Sequence, residues 1–333
     1  MQIQYEVLEP YGERVLPIEP LLAAHTIVLS THVNPDGDGL GAGLALMRGL
    51  RALGKEVRMY LDAPIPERYK YLDYDGDVME ADAMAADFIR DADLYVALDT
   101  NDMDRTGRPY VMRGDAPVCA IDHHLGDVPD HVIMICDTDS SSTGELVYRI
   151  LVQAGVTITP EIGEPIYASM VYDTVSFRFL RNRSETLRLA ARLLDLGVDA
   201  TRLQEKIYMN KPVDMPRLLA RAFKRAEFAY DNRIAWTILD ASDLADLSVD
   251  NDDLREVVSM LISLRGVEAA FVLKQAGDKQ YKVSIRSKEH LNIFSIAKRR
   301  GGGGHAHAAG ATVDGDVGPI IEDVLGEIAE LLS

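Results

Sequence analysis

The first half of the chain alternates short apolar runs with longer segments of helical periodicity. Runs of five or six residues predict strands at HTIVLS (25–30), VRMYL (57–61), LYVALD (94–99), PVCAID (117–122) and HVIMIC (131–136). Apolar residues at helical spacing predict helices over 39–54 and 141–155, which end at Gly54 and Gly155. This alternation predicts an α/β fold: a mostly parallel sheet with helices on both of its faces.

The pattern changes at a proline-containing segment, residues 209–216. Before this segment, residues 160–208 have helical periodicity, and after it the apolar runs come in pairs. Proline and polar residues between two periodic regions are typical of a linker. We therefore expect a larger domain over 1–208 and a smaller α/β domain over 217–333, joined by 209–216.

The second domain is predicted to contain two hairpins and two longer helices. The first hairpin turns at Asp231-Asn232 and the second at Gly277-Asp278, because these residue types favour tight turns between strands. Helical patterns cover about 250–264 and 318–332.

Polar residues lie where three of the predicted strands end. Asp99 and Asp122 are the last residues of their apolar runs, and His32 follows the first run closely. In open parallel sheets, ligands bind in the crevice beyond the carboxyl ends of the strands. These three positions therefore predict one common site.

The segment HVNPDGDGLG carries three candidate metal ligands, His32, Asp36 and Asp38. Its proline and glycines let the backbone fold sharply enough to direct several side chains at one point. The next two glycines, Gly41 and Gly43, are expected to permit close packing of the following helix on the sheet. Alone, this spacing equally fits a polar turn after a strand.

Three further clusters strengthen the prediction of a metal site. Asp99 follows a buried strand, where an unpaired carboxylate is costly, although it could also be a turn residue. Asp122-His123-His124 places adjacent imidazoles beside an acid, a pattern that suits metal ligation better than a surface position. Asp173 follows a helical run and could be an ordinary helix-terminal acid. Mixed Asp and His ligands favour manganese or magnesium over structural zinc.

Composition and cysteine usage indicate a soluble cytoplasmic protein. The chain is 47% apolar, enough for a sizeable core, yet no apolar run reaches the 18 or so residues of a transmembrane helix. The N-terminus MQIQYEVLEPYGERV is acidic and lacks an apolar centre, which argues against a signal peptide. Cys119 and Cys136 lie in apolar strand-like runs and are expected to be buried, reduced thiols.

The net charge of −18 argues against non-specific binding to long duplex nucleic acid, which needs a basic face. The charge is uneven: 20 Lys+Arg stand against 35 Asp+Glu up to residue 216, and 15 against 18 after it. An acidic half can still bind phosphate groups if metal ions invert its local field.

In order along the chain, these motifs resemble those of a known family. HVNPDGDGLG, VALDTND, IDHH and VYDT resemble the four metal motifs of the DHH phosphoesterases. GGGGHAHAAG resembles the glycine-rich signature of the DHH-associated C-terminal domain. The resemblance covers nearly the whole chain and is to the bacterial nanoRNase type, which combines oligoribonuclease and pAp phosphatase activities.

The resemblance implies two divalent metal ions bridged by Asp99. One metal would be held by His32, Asp36 and Asp99, and the other by Asp38, Asp99, His123 and Asp173. His124 would contact the scissile phosphate, Asp122 would orient the site, and Arg105 would lie near the substrate. The sequence departs from the family at Val175, which stands in place of the glycine in a common Asp-Thr-Gly-Ser-Phe-Arg motif. The backbone shape after Asp173 therefore stays open.

A glycine run at 301–304 is the second candidate binding feature. Its backbone N–H groups are sterically open and could form an anion-binding concavity, although a flexible linker is the alternative. Basic residues at 298–300 precede it. By resemblance, the distal phosphate or nucleotide would be held by Arg286, Gly303, Gly304 and His305.

The implied reaction is hydrolysis of a phosphate ester by a water activated between two metals, without a protein nucleophile. The active site would lie in an interdomain cleft, and the second domain would act as a ruler that favours short RNA oligonucleotides and nucleoside 3′,5′-bisphosphates. Two alternatives remain: a cyclic or linear dinucleotide phosphodiesterase, and a non-catalytic nucleotide sensor. The sequence does not decide between a monomer and a homodimer.

Overall fold

The computed structural model describes residues 15–124, 126, 128–180, 184–288 and 290–332. The N-terminal segment that argued against a signal peptide lies, up to residue 14, outside this range. Within the range, no helix is both long and apolar enough to cross a bilayer. The chain divides into two compact units, and the boundary falls between Asn210 and Lys211. A helix begins at Met215, inside the segment predicted as a linker.

The first unit is an α/β fold on a parallel sheet, which confirms the predicted fold class. Its described strands are β1 (Thr26–Thr31), β2 (Glu56–Leu61), β3 (Val78–Glu80), β4 (Leu94–Leu98), β5 (Val118–Asp122) and β6 (Val132–Cys136). They are ordered β3-β2-β1-β4-β5-β6, and every neighbouring pair is parallel.

Helices and short 3₁₀ turns connect these strands. The helices are α1 (Glu19–Ala23), α2 (Gly37–Ala52), α3 (Ala86–Arg90), α4 (Arg108–Met112), α5 (Thr143–Gln153), α6 (Pro160–Asp173), α7 (Ser184–Asp195) and α8 (Ala200–Tyr208). The 3₁₀ turns cover Glu67–Tyr69 and Met103–Thr106. Gly54 adopts φ 79° two residues after α2, as expected for a helix stop.

The sheet lies between two apolar cores because its central strands are apolar on both faces. In β1, Ile27 and Leu29 pack into one core and Val28 into the other. In β4, Val96 packs into the first of these cores and Tyr95 into the second. Two-sided burial of this kind explains why the sequence shows continuous apolar runs rather than alternation.

The two cysteines lie in adjacent strands of this sheet. Cys119 is buried and Cys136 half-buried, and neither forms a disulfide. The predicted burial is therefore right for the first and only partly right for the second.

The strand order positions the site. After β1 the chain continues to β2 and β3 on one side, then returns to β4, β5 and β6 on the other side of β1. The order therefore reverses between β1 and β4, and ligands of such sheets bind at that point, beyond the carboxyl ends of the strands.

Glycines in α2 allow its close packing, but only partly as predicted. A Cβ on Gly43 would lie 2.6 Å from Met59 Cε of β2, so this glycine does face the sheet. A Cβ on Gly41 would lie 2.5 Å from the carbonyl oxygen of Pro165. The expectation that Gly41 also packs on the sheet is therefore wrong: the residue faces α6, because α2 lies between the sheet and that helix.

The second unit has a mixed sheet ordered β11-β12-β10-β9-β8-β7. Its described strands are β7 (Glu227–Ala229), β8 (Ile234–Leu239), β9 (Ala269–Gly277), β10 (Gln280–Ser287), β11 (Gly303–His305) and β12 (Ala308–Asp314). Its helices are α9 (Met215–Lys224), α10 (Ala241–Leu244), α11 (Asn251–Ile262), α12 (Phe294–Lys298) and α13 (Val317–Leu332). Both predicted hairpins form, β7–β8 and β9–β10, and β8 and β9 pair in parallel.

Candidate metal centre

The first unit brings all six predicted metal ligands together at the carboxyl edge of its sheet. His32 directly follows β1, Asp99 directly follows β4, and His123 directly follows β5. Asp36 is the N-cap of α2, and Asp38 lies in the first turn of that helix. The remaining ligand, Asp173, is the last residue of α6.

The first group of ligand atoms surrounds the imidazole of His32. Its Nε2 lies 3.6 Å from Asp99 Oδ2 and 3.9 Å from Asp36 Oδ2. Its Nδ1 lies 3.0 Å from the carbonyl oxygen of Val33, which can only accept a hydrogen bond. Nδ1 therefore carries the proton, and the lone pair of Nε2 faces the carboxylates.

The second group surrounds His123 in the same manner. Its Nε2 lies 3.4 Å from both Asp38 Oδ2 and Asp173 Oδ2, and 3.9 Å from Asp99 Oδ1. Its Nδ1 lies 3.0 Å from the carbonyl oxygen of Ser140. Asp99 thus offers one oxygen to each group.

The electrostatics of the cluster fit divalent cations. The pKa of Asp38 is raised to about 6, mainly by burial; among the nearby charges, His123 lowers it and Asp173 and Asp36 raise it. Burial, followed by the charges of Asp38 and Asp36, also holds the pKa of Asp99 well above its usual range. Carboxylates crowded in this way need a positive charge between them. The donors of His32, Asp36 and Asp99 lie within 4.8 Å of one another, as do those of Asp38, His123 and Asp173. Such oxygen and imidazole donors suit hard or borderline divalent ions.

Asp122 holds His124 in a defined orientation. Its Oδ1 accepts a 2.6 Å hydrogen bond from His124 Nδ1, together with the backbone N–H groups of His123 and His124. Burial opposes ionisation, but the interaction with His124 outweighs it, so the pKa of Asp122 is lowered and that of His124 is raised. His124 Nδ1 also lies 3.4 Å from Asp99, but its bond to Asp122 leaves Nε2 as the nitrogen available to a ligand.

The N-terminus of α5 supports two of the carboxylates, a role that sequence reasoning missed. The N–H groups of Thr143 and Gly144 donate to Asp38 over 2.9 and 3.3 Å, and Ser169 Oγ donates to the same carboxylate. Thr143 Oγ1 also donates to Asp99 over 3.1 Å. The sequence signal for this role was the run of Ser and Thr residues at 140–143, although such residues more commonly indicate a helix cap.

The same run of Ser and Thr residues also caps the helix. Ser142 is the N-cap of α5 and accepts from the N–H of Glu145 over 3.1 Å. The Glu145 carboxylate reaches the backbone N–H of Ser141 instead of that of the N-cap residue.

Arg105 lies beside the first ligand group through its backbone. It is exposed in the 3₁₀ turn Met103–Thr106, and its carbonyl accepts from the N–H of Val33, next to His32. Among the described residues its guanidinium has no ion-pair partner, which leaves it available to an anion.

The backbone after Asp173 is left-handed. Val175, Ser176 and Phe177 have φ of 49°, 58° and 62°, values that favour glycine. The N–H of Ser176 donates to the carbonyl of Val171 over 2.7 Å, which helps to hold this turn. Val175 therefore keeps the conformation that a glycine would adopt at this position.

Two of the predicted substrate-binding residues lie in one row of the sheet in the second unit. Arg286 of β10 and His305 of β11 both pair with Ala308, on the strand between them. Gly303 and Gly304 lie in β11, so half of the glycine run is a strand and not an open loop. Glycine is needed in this strand because the neighbouring strand approaches closely: a Cβ on Gly304, which has φ 129°, would lie 2.3 Å from the carbonyl oxygen of Ala308. The side chain of His305 lies outside the described part.

The basic residues before the glycine run are mostly neutralised. Arg299 and Arg300 both bind Glu327 of α13, and Arg300 also binds Asp323. They therefore add less positive charge to this surface than the sequence suggests.

Comparisons with known proteins agree with the motifs. The family model described as DHH family, N-terminal domain, matches residues 26–172, and the DHHA1 domain model matches residues 235–333.

Two curated relatives and one solved structure indicate how far the similarity extends. The bifunctional oligoribonuclease and PAP phosphatase NrnA of Thermus thermophilus is 31% identical over 97% of this chain and 96% of its own length. The cyclic-di-AMP phosphodiesterase GdpP of Geobacillus thermodenitrificans is 26% identical over 88% of this chain but only 45% of its own length. An exopolyphosphatase-related protein from Bacteroides fragilis has the same fold, with a TM-score of 0.85, 24% identity, and coverage of 96% of this chain and 99% of that one.

Proposed function

Because this chain belongs to the DHH family of phosphoesterases, we propose that it hydrolyses short oligoribonucleotides and nucleoside 3′,5′-bisphosphates with two divalent metal ions. The observation that carries the proposal is the position of Asp99, which offers one carboxylate oxygen to each of two ligand groups. Similarity to an oligoribonuclease and PAP phosphatase over nearly the whole length of both chains supports the substrate class.

The first group, His32, Asp36 and Asp99, would hold one metal ion. The second group, completed by Asp38, His123 and Asp173, would hold the other. When bound, the two ions supply an activated water and Lewis-acid stabilisation of the phosphate oxygens. Manganese fits this mixture of carboxylate and imidazole donors, and magnesium is the alternative.

His124 and Asp122 would assist at the phosphate. The raised pKa of His124 favours its protonated form, and its Nε2 is the nitrogen left to meet the substrate. A fixed positive charge near the phosphate stabilises the negative charge that develops during hydrolysis. Arg105 would add a second cation near the substrate.

The second domain would select substrates by length. We assign the domains to residues 1–208 and 217–333, joined by a linker over 209–216. In the second domain, the distal phosphate would be bound by Arg286, the backbone of Gly303 and Gly304, and His305. Few phosphates need binding in this scheme, which agrees with an acidic chain.

A substrate panel tests the proposal. Protein stripped with EDTA should be inactive, and added Mn²⁺ should restore release of phosphate from pAp and of mononucleotides from a dinucleotide. Equal activity with EDTA and Mn²⁺, or none on either substrate, would refute the proposal.

A cyclic dinucleotide in the same panel tests the second candidate function. Similarity to GdpP favours it, but this chain spans less than half of that protein. Faster turnover of the cyclic dinucleotide than of its linear product would favour this alternative.

A further inference from the structure

A buried ion pair lies beside the candidate metal centre without contributing to the ligand groups. Arg149, on α5, donates from Nη1 to Oδ2 of Asp137, the residue that follows β6. Their side chains are only 8% and 5% exposed. Removing two charges from water costs several kcal/mol per ion, so such a pair contributes little net stability and points to a positional role.

The pair is linked to a predicted ligand by three short contacts. Asp137 Oδ1 accepts from the N–H of Asp139 over 3.1 Å, and the Asp137 carbonyl accepts from the N–H of Ser140 over 3.0 Å. These bonds fix the turn over 137–140. The carbonyl of Ser140 then accepts from Nδ1 of His123 over 3.0 Å.

The last contact decides which nitrogen of His123 carries the proton. A carbonyl oxygen only accepts hydrogen bonds, so the proton resides on Nδ1. The lone pair of Nε2 consequently faces Asp38 and Asp173, each 3.4 Å away. If the Ser140 carbonyl moved, the imidazole could rotate or adopt the other tautomer.

The same helix holds two other ligands. The first turn of α5 donates from Thr143 and Gly144 to Asp38, and from the Thr143 hydroxyl to Asp99. Arg149 therefore joins the helix that fixes two carboxylates to the turn that fixes His123.

We propose that Arg149 and Asp137 are positioning residues that set the tautomer and orientation of His123 for the second metal. The assignment of His123 as a metal ligand rests on the proposed function, whereas its tautomer can be measured without metal or substrate.

The first test is ¹⁵N NMR of the histidine rings in metal-free protein at alkaline pH. The signals of His123 are assigned by their loss in His123→Gln. We expect a single tautomer with the proton on Nδ1 in the wild type, and a mixture in Arg149→Met and Asp137→Asn. A single unchanged tautomer in both variants would overturn the proposal.

The second test is titration with Mn²⁺, followed by calorimetry and electron paramagnetic resonance. Loss of a group that orients a ligand typically weakens metal binding by about 10–100-fold. We expect Arg149→Met and Asp137→Asn to weaken the second Mn²⁺ by this factor and to leave the first unchanged. Arg149→Lys, which keeps a cation within reach of Asp137, should recover part of the affinity.

Arg300→Met is the matched control for general destabilisation. The Arg300 side chain is 10% exposed and forms ion pairs with Asp323 and Glu327 in the second unit, neither of which is a predicted ligand. This variant should lower the melting temperature but leave both Mn²⁺ affinities unchanged. An equal loss of the second Mn²⁺ in Arg300→Met would contradict a specific role for Arg149.

The tests allow for a variant that does not fold, and they separate this proposal from the proposed function. If Arg149→Met does not fold, Asp137→Asn, which preserves the shape of the side chain, provides the answer. Failure of the wild type to hydrolyse short RNA would contradict the proposed function, whereas only the tautomer and the second-site affinity bear on Arg149 and Asp137.

Discussion

At the scale of single residues, the proposed two-metal centre depends most on Asp99. It lies directly after the central strand β4, adopts a left-handed φ of 58°, and faces a histidine of each ligand group. Aspartate tolerates this backbone conformation better than most residues, so the position suits a side chain that must point away from its strand.

Substitution of Asp99 tests its bridging position. We expect Asp99→Asn to lower turnover by at least about 10²–10³-fold, the usual effect of removing one electrostatic stabiliser, and to reduce Mn²⁺ binding below two ions per chain. Calorimetry and steady-state rates provide the measurement. Asp62→Asn is the control, because Asp62 follows β2 at the same sheet edge but binds Arg108. Two bound Mn²⁺ ions in Asp99→Asn would contradict the bridging role.

Val175 gives a prediction about backbone strain. A β-branched residue at φ 49° is strained by roughly 1–3 kcal/mol. Val175→Gly should therefore leave the free energy of unfolding unchanged or raise it by up to about 1 kcal/mol, as measured by urea denaturation. Val111→Gly, in helix α4, should instead lower it by roughly 0.3–0.5 kcal/mol, the difference in helix propensity between the two residues. Equal losses in the two variants would exclude strain at Val175.

At the scale of elements, the packing of α2 on α6 aligns two ligands. Asp38 lies at the start of α2 and Asp173 at the end of α6, and Gly41 allows the helices to approach closely. Pro165 interrupts α6 and deprives the carbonyl of Glu161 of its helical donor. Arg48 of α2 supplies the missing bond over 2.8 Å, so the two helices are also joined by a polar contact.

Enlarging Gly41 should separate these helices. A Cβ there would lie 2.5 Å from a backbone oxygen, so Gly41→Ala should lower the free energy of unfolding by about 1–3 kcal/mol and weaken Mn²⁺ binding. In Gly326→Ala, on α13, the new methyl group meets nothing within 4 Å, and the gain in helix propensity should stabilise by up to about 1 kcal/mol. Thermal denaturation compares the two; stabilisation by both would contradict the packing argument.

The sequence predicted the long elements and the candidate ligands that meet at the sheet edge, but not the residues that support them. Helices such as α2 and strands such as β1 have strong periodicity, whereas β3, of three residues, and α3, of five, are too short for a pattern. The ligands were recognisable because they follow strands or cap helices locally. Ser169 was not, because its bond to Asp38 joins residues 131 positions apart and depends on tertiary packing.

At the scale of the whole molecule, the metal centre should couple stability to pH. The folded-state pKa of Asp38 is raised from 3.8 to about 6, and that of Asp99 is raised as well. A raised pKa means that their contribution to stability is fully present below pH 3.8 and is lost as the pH rises, for Asp38 through about 6. Bound cations would reverse this loss.

We therefore expect the free energy of unfolding of EDTA-treated wild type, relative to Asp99→Asn, to fall as the pH rises above about 4. Added Mn²⁺ should stabilise the wild type above pH 6 and have a smaller effect on the variant. Chemical denaturation from about pH 4 upwards provides the measurement. A constant difference between the two proteins would show that folding does not oppose the ionisation of Asp99.

The most direct test of the central claim compares initial rates with Mn²⁺ on a dinucleotide and on a twenty-nucleotide RNA. A two-metal phosphoesterase whose second domain holds the distal phosphate should hydrolyse the dinucleotide faster, and Asp99→Asn should slow both reactions by at least about 10²–10³-fold. A faster rate on the twenty-nucleotide RNA, or a rate in Asp99→Asn close to that of the wild type, would contradict the account.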